Sequence, residues 1–175
     1  MLITILSISA LTGCGSSQGK IETTIKDFPE FGMVDFEGNE VDNSIFEDYA
    51  VTVVNFWYTG CMPCVEELPD LEADYQKLKE QGVNFIGVCK DAGNQELKEQ
   101  ATKIMQSKGI TYKNYIPVTG SSFETDFITD LVAFPTTYLV NREGKIIGAP
   151  IVGVLSGQQE QFEKRIEQIL EADKK

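Results

Sequence analysis

The pair Cys61-Met62-Pro63-Cys64 constrains this chain more than any other feature, because of what flanks it. Before it, Val51-Thr52-Val53-Val54-Asn55-Phe56-Trp57 has the length and β-branched composition of a buried strand. After it, Leu68, Leu71, Tyr75 and Leu78 recur at steps of three and four, which predicts an amphipathic helix stopping near Gly82. A cysteine at that junction falls at the helix N-terminus, where unpaired backbone N–H groups and the helix dipole favour a thiolate. Its mate lies nearly one turn further on, close enough for a disulfide. Pro63 fits there, because the first turn has no hydrogen bond for its missing N–H to lose.

The 175 residues include no histidine, which removes Ser-His-Asp and Cys-His catalysis and His-ligated zinc, copper or haem. A zinc site on Cys61 and Cys64 would need two further ligands, and a c-type haem attachment would need histidine where Val65 stands. A purely structural role explains the pair poorly, since closing a loop of two residues removes little chain entropy. No metal and no separate cofactor is therefore expected; the redox-active group is the Cys61–Cys64 dithiol/disulfide itself. Fifteen basic against 27 acidic side chains give a formal charge of -12, which repels phosphate backbones and argues against a nucleic-acid partner.

Residues 2–11, LITILSISAL, are an apolar run about half the ~20 residues a membrane-spanning helix needs, as in a signal-peptide core. The run ends in Leu11-Thr12-Gly13-Cys14, which resembles the bacterial lipoprotein lipobox. That resemblance implies cleavage before Cys14 and a diacylglycerol group on its sulfur. The expected organisation is a signal peptide over 1–13, a lipid-anchored flexible tether over 14–27 and one domain over 28–175. The mature protein would then be extracytoplasmic, where disulfides persist.

Within the domain, Val34-Asp35-Phe36 and Val41 flank Gly38-Asn39 as a hairpin would. Residues 83–88 read as a second buried strand, and Leu97, Ala101, Ile104 and Met105 predict a helix over Gln95–Lys108 with Gly109 as its stop. A strand over 112–118 is weakened at its end by Pro117. Further on, Thr136-Thr137-Tyr138-Leu139-Val140 and Lys145-Ile146-Ile147 predict a hairpin. Ser156 and Gln159 form a capping-box pattern before a closing helix carrying Phe162, Ile166, Ile169 and Leu170. This order argues for an α/β sheet with helices on both faces.

The segment from Val54 through Cys64, followed by Glu66-Glu67-Leu68-Pro69, and the later Phe134-Pro135-Thr136-Thr137 resemble the thioredoxin superfamily, most of all its TlpA/ResA-type extracytoplasmic branch. The resemblance runs over about 28–170. It implies a thioredoxin fold: a central mixed β-sheet, an N-terminal hairpin extension and an inserted helix and strand near 94–118. It also implies that Cys61 is the exposed attacking thiol and Cys64 the buried resolving one. Pro135 would be cis and face the pair, the Phe134 backbone would pair with an extended partner segment, and Trp57 would lie beside the active-site turn in the substrate site, while its residue type reads equally as a core aromatic.

Two departures bear on mechanism. Thioredoxins place a buried aspartate where this chain has Asn55, and many relatives have tryptophan where it has Gly60. Glu67, three residues after Cys64 on the same helix face, is expected to supply the missing carboxylate. Its negative charge disfavours a nearby thiolate, and what fails to stabilise the reduced thiolate favours the disulfide. The expected direction is a reductant. Cys89 reads as a small buried hydrophobe.

The implied activity is a membrane-tethered thiol-disulfide oxidoreductase. It would reduce disulfides in envelope proteins, apocytochrome c among them, and take electrons from a membrane thiol-disulfide donor. A peroxiredoxin-like thiol peroxidase would need proline seven and threonine three residues before the reactive cysteine, and those positions hold Val54 and Tyr58. A non-catalytic envelope lipoprotein that only binds partners would not need the cysteine pair.

Overall fold

The computed structural model describes residues 25–174, in which nine strands and three α-helices follow one another. They are β1 Ile25–Asp27, β2 Met33–Asp35, β3 Glu40–Val41, β4 Val51–Trp57, α1 Met62–Leu78, β5 Val83–Cys89, α2 Gln95–Lys108, β6 Lys113–Pro117, β7 Thr136–Asn141, β8 Lys145–Ile147, β9 Ile151–Val152 and α3 Gln159–Asp173. The expected signal peptide, Cys14 and the first part of the expected tether lie outside the described residues.

β4 lies at the centre because its seven residues are all buried and their side chains alternate between two cores. Val51, Val53 and Trp57 join Leu68 and Leu71 of α1, Ala101 of α2 and Phe162, Ile166 and Ile169 of α3. Val54 and Phe56 point the other way, into a cluster with Phe28, Phe31, Phe46, Phe123 and Ile128. All three α-helices thus serve the first core. The opposite face is covered by a short 3₁₀ turn at Asn43–Phe46, a π-helical turn at Phe123–Ile128 and edge-to-face phenylalanine contacts. Helices lie on both faces, but unequally.

The sheet runs β1-β8-β7-β4-β5-β6-β2-β3, with β9 also paired to β7. β4, β5 and β6 are parallel, β7 is antiparallel to β4, and the β2–β3 hairpin extends the β6 edge. α2 and β6 are the helix and strand expected as an insertion. Trp57 pairs in register with Cys89, and Phe56 with Thr136. The exit of β4, the exit of β5 and the Phe134-Pro135 loop therefore meet at one end of the sheet, where open α/β sheets carry their sites.

Two expectations fail locally. The tether was expected to run to residue 27, yet Ile25–Asp27 pair with β8, and the Phe28 N–H donates to the Gly144 carbonyl. All three residues of this edge strand are exposed, so backbone bonds and a Lys145–Asp27 ion pair hold it rather than an apolar pattern. The Ser156 capping box is also not formed. Leu155–Gly157 is a 3₁₀ turn, and α3 begins at Gln159 without a side-chain cap. The polar groups there serve tertiary contacts instead: Gln158 donates to the Val152 carbonyl and Gln159 to the Asp74 carboxylate.

One glycine is demanded by packing. The Trp57 indole N–H donates to Asn114 Oδ1 at 2.9 Å, and that oxygen lies where a Cβ on Gly87 would be, 1.9 Å away. Gly87→Ala is expected to cost about 1–3 kcal/mol through overpacking. The urea midpoint measures it, and an unchanged midpoint would remove this account of Gly87.

Candidate active site

Cys61 is the N-cap of α1. Its backbone is extended, and its Sγ accepts the Cys64 N–H at 3.3 Å. The two cysteines form a disulfide with Sγ atoms 2.01 Å apart and Cα atoms 5.3 Å apart. The Cys61 N–H donates to the Tyr58 carbonyl at 3.0 Å, closing a four-residue turn that delivers the chain from β4 into the helix. Once the disulfide is reduced, the Cys64 N–H and the helix dipole are the groups that favour a Cys61 thiolate.

Exposure departs from expectation. As a disulfide, Cys61 is only 4% exposed and Cys64 1%, so the sulfur expected to attack is not laid open in the oxidised form. The cause is local: the N-cap geometry turns the Cys61 side chain back over the first helical turn. The surface here belongs to its neighbours Gly60, Met62 and Pro63, all exposed. Cys61 still precedes Cys64 in accessibility.

The Phe134–Pro135 bond is cis. The Pro135 carbonyl accepts the Gly153 N–H at 2.9 Å, and Thr136 Oγ1 donates to the Ala133 carbonyl at 2.8 Å. Among the described residues the Phe134 main chain makes no hydrogen bond, which leaves it open to an incoming strand. The Phe134 ring meets Tyr58 edge-on at 5.4 Å, and the Lys90 ammonium lies 4.5 Å from the Phe134 centroid and 5.0 Å from that of Tyr58. The turn before Cys61 and the proline loop are thereby joined.

Glu67 lies on the buried face of α1 with Cys64, Leu68 and Leu71 and is 4% exposed, so a solvated surface role does not describe it. Oε1 accepts the Leu155 N–H at 3.0 Å, while Oε2 is buried without a partner. Burial raises its carboxyl from 4.5 to about 7; the Leu155 N–H opposes the rise and Asp70 adds to it. Asn55, where thioredoxins hold an aspartate, is buried and donates from Nδ2 to Thr137 Oγ1 at 3.0 Å. It brings no charge; Glu67 does.

Of the two readings of Trp57, the structure favours the core aromatic over the substrate site. It is 0% exposed and its one polar atom is taken by Asn114, so it cannot line a substrate site and instead supports the turn from inside. Cys89 is buried as expected, and its thiol donates to Asp91 Oδ1 at 3.3 Å. Burial, then the Asp91 charge, pushes that thiol far above its ordinary range, so Cys89 stays protonated and does not compete in exchange.

Sequence reasoning missed Asp91. Both its carboxylate oxygens accept the Thr59 N–H, at 3.2 and 3.1 Å, and Oδ2 also accepts the Thr59 hydroxyl at 2.7 Å. The available signal was an acidic residue two positions beyond a parallel strand, at the end of the sheet that carries the cysteine pair. Among the described residues no group of three or more potential metal ligands occurs, and no helix is long and apolar enough to cross a membrane.

A family model described as the AhpC/TSA family matches residues 25–149. A thiol-disulfide oxidoreductase ResA of Bacillus cereus is 28% identical over 159 residues, covering 90% of this chain and 84% of its own. The ResA of Halalkalibacterium halodurans is 32% identical over 132 residues, covering 75% and 70%. The thioredoxin domain of a thiol-disulfide oxidoreductase from Bacteroides vulgatus superposes with a TM-score of 0.64 at 26% identity, covering 78% of this chain and 95% of its own. A thiol:disulfide interchange protein of the thioredoxin family from Chlorobium tepidum gives 0.65 at 22% identity, covering 82% and 95%.

Proposed function

Since the chain belongs to the AhpC/TSA family, as a thioredoxin-fold thiol-disulfide oxidoreductase similar to ResA, we propose that it works as a lipid-anchored, extracytoplasmic reductant of protein disulfides. The observation that carries this reading is a disulfide at a helix N-terminus with a buried, half-partnered carboxylate one turn below.

The cycle starts from the dithiol. Cys61 thiolate attacks one sulfur of a partner disulfide; a Cys61–partner bond forms and the second partner sulfur leaves as a thiolate that takes up a proton. Cys64 then gives up its proton and attacks the Cys61 sulfur. The Cys61–Cys64 bond forms, the mixed disulfide breaks, and the partner departs with two electrons more than it brought. Glu67, with its carboxyl near neutrality, is suited to take the Cys64 proton. A membrane thiol-disulfide donor returns the pair to the dithiol.

The partners proposed are disulfide-bearing envelope proteins, apocytochrome c among them; the thiol-disulfide oxidoreductase relatives support exchange with a disulfide partner. The open Phe134 main chain is suited to pair with an extended segment around the partner cysteine. Anchoring would run through a lipid on Cys14. A peroxidase reading finds less support: Tyr58 stands where that chemistry needs threonine, and its ring packs against Phe134 under Lys90.

The native host provides the test. A Cys64→Ser chain should hold its client as a mixed disulfide in the membrane fraction, and mass spectrometry of that chain should find Cys14 at its N-terminus carrying a diacylglycerol. No trapped client would sink the reductase reading. An unmodified Cys14 in the membrane-bound chain would sink the lipid anchor alone.

A further inference from the structure

We propose that Asp91 is a positioning residue for Cys61, holding the 58–61 turn so that the Cys61 sulfur stays aligned with the helix N-terminus. This rests on the reductase reading above and extends it to a residue outside the cysteine pair and its proton acceptor.

Thr59 and Gly60 are the two central residues of the turn closed by Cys61 N–H to Tyr58 carbonyl. Thr59 is 8% exposed, so its N–H and hydroxyl need partners inside the protein, and Asp91 supplies both. Among the described residues Thr59 has no other hydrogen-bond acceptor, and Gly60 has no backbone bond. Asp91 is itself fixed from the β5 end, because the Lys90 N–H donates to the Trp57 carbonyl and the Cys89 thiol donates to Asp91 Oδ1. Lys90, between the two, bridges Tyr58 and Phe134. Three consecutive residues thus brace both loops beside the disulfide. Without Asp91 the turn keeps one bond, and the approach of Cys61 Sγ to the Cys64 N–H loses its outer support.

Charge and position act on the Cys61 thiol with opposite sign. A nearby carboxylate disfavours a thiolate and raises the thiol pKa, whereas correct alignment on the helix N-terminus lowers it. The other charged or titratable groups in the segments around the turn are Cys89 at the end of β5, whose thiol donates to Asp91, Lys90 after it, Tyr58 in the turn, and Cys64, Glu66 and Glu67 on α1; every variant below retains them.

The experiment measures the pH dependence of Cys61 alkylation by iodoacetamide in the reduced, full-length protein. Asp91→Ala is expected to raise the apparent pKa and reduce the thiolate fraction at pH 7 about three- to tenfold. Asp91→Asn keeps an oxygen acceptor for Thr59 without the charge, and its thiolate fraction should match or exceed the wild type. Thr59→Val, which removes only the hydroxyl donor, should lower the fraction in the same direction as Asp91→Ala but by less, and it serves if the alanine variant does not fold. The proposal is overturned if the alanine and asparagine variants move together in either direction, or if neither alanine nor valine changes the profile. If instead the wild-type protein fails to reduce insulin at all, the reductase reading fails on its own.

Discussion

Cys61→Ser should abolish disulfide reduction by the purified protein, lowering dithiothreitol-driven insulin turnover by about 10³-fold or more. The reason lies in ground-state chemistry. A thiolate at a helix N-terminus is populated near neutrality, whereas a serine hydroxyl at the same N-cap stays protonated and only caps the helix. Cys64→Ser should behave differently. It retains the attacking sulfur, so one attack proceeds and stops at a Cys61–partner bond, seen by mass spectrometry as one stoichiometric adduct. Cys89 provides an internal control, being fully buried and hydrogen-bonded to Asp91. The adduct should map to Cys61 and persist in a Cys64→Ser, Cys89→Ala chain. Wild-type turnover in Cys61→Ser would remove Cys61 from the reaction, and an adduct on Cys64 in Cys61→Ser but none on Cys61 in Cys64→Ser would reverse the assigned roles.

The parts of this protein legible in its sequence are those set by local rules. β4 and α2 appear at the residues their composition and periodicity predict, and Gly82 and Gly109 end their helical segments with positive φ, as left-handed stops require. The cysteine pair is legible because its spacing and flanks are local too. What escaped depends on contacts between distant residues. β1 is held by backbone pairing to β8, more than 100 residues away, and leaves no apolar trace. Asp91 lies 32 residues from the threonine it holds. The choice between the two readings of Trp57 has the same origin, since burial in the sheet and the Asn114 contact are what turn the ring inward. Low exposure of Cys61 was hidden because it depends on which way an N-cap side chain closes, not on its position in the chain.

Glu67→Gln is expected to flatten the pH dependence of stability in the oxidised protein. The native carboxyl titrates near 7 against 4.5 when unhindered, so between those values the native state binds more protons than the unfolded chain. Stability from this group is fully present below about pH 4.5 and falls as pH rises through 7, by about 3 kcal/mol at most. Glutamine cannot ionise, and its side-chain oxygen can keep the Leu155 N–H bond. An amide N–H₂ takes the place of the unpartnered Oε2, a penalty that does not vary with pH. Asp74, which burial also raises, is common to both proteins and cancels in their difference. The chain has no histidine to add its own titration in this window. Urea unfolding at pH 4.5, 7 and 8 should therefore show the variant gaining on the wild type by up to about 3 kcal/mol across the range. Two parallel curves would mean that Glu67 is not a buried acid near neutrality. The redox counterpart has a fixed sign: removing a carboxylate below the pair should lower the apparent thiol pKa and make the variant a weaker reductant, on a scale of about 30 mV per 1.4 kcal/mol. A flattened stability profile without any change in thiol pKa would leave Glu67 as a buried acid that takes no part in the exchange.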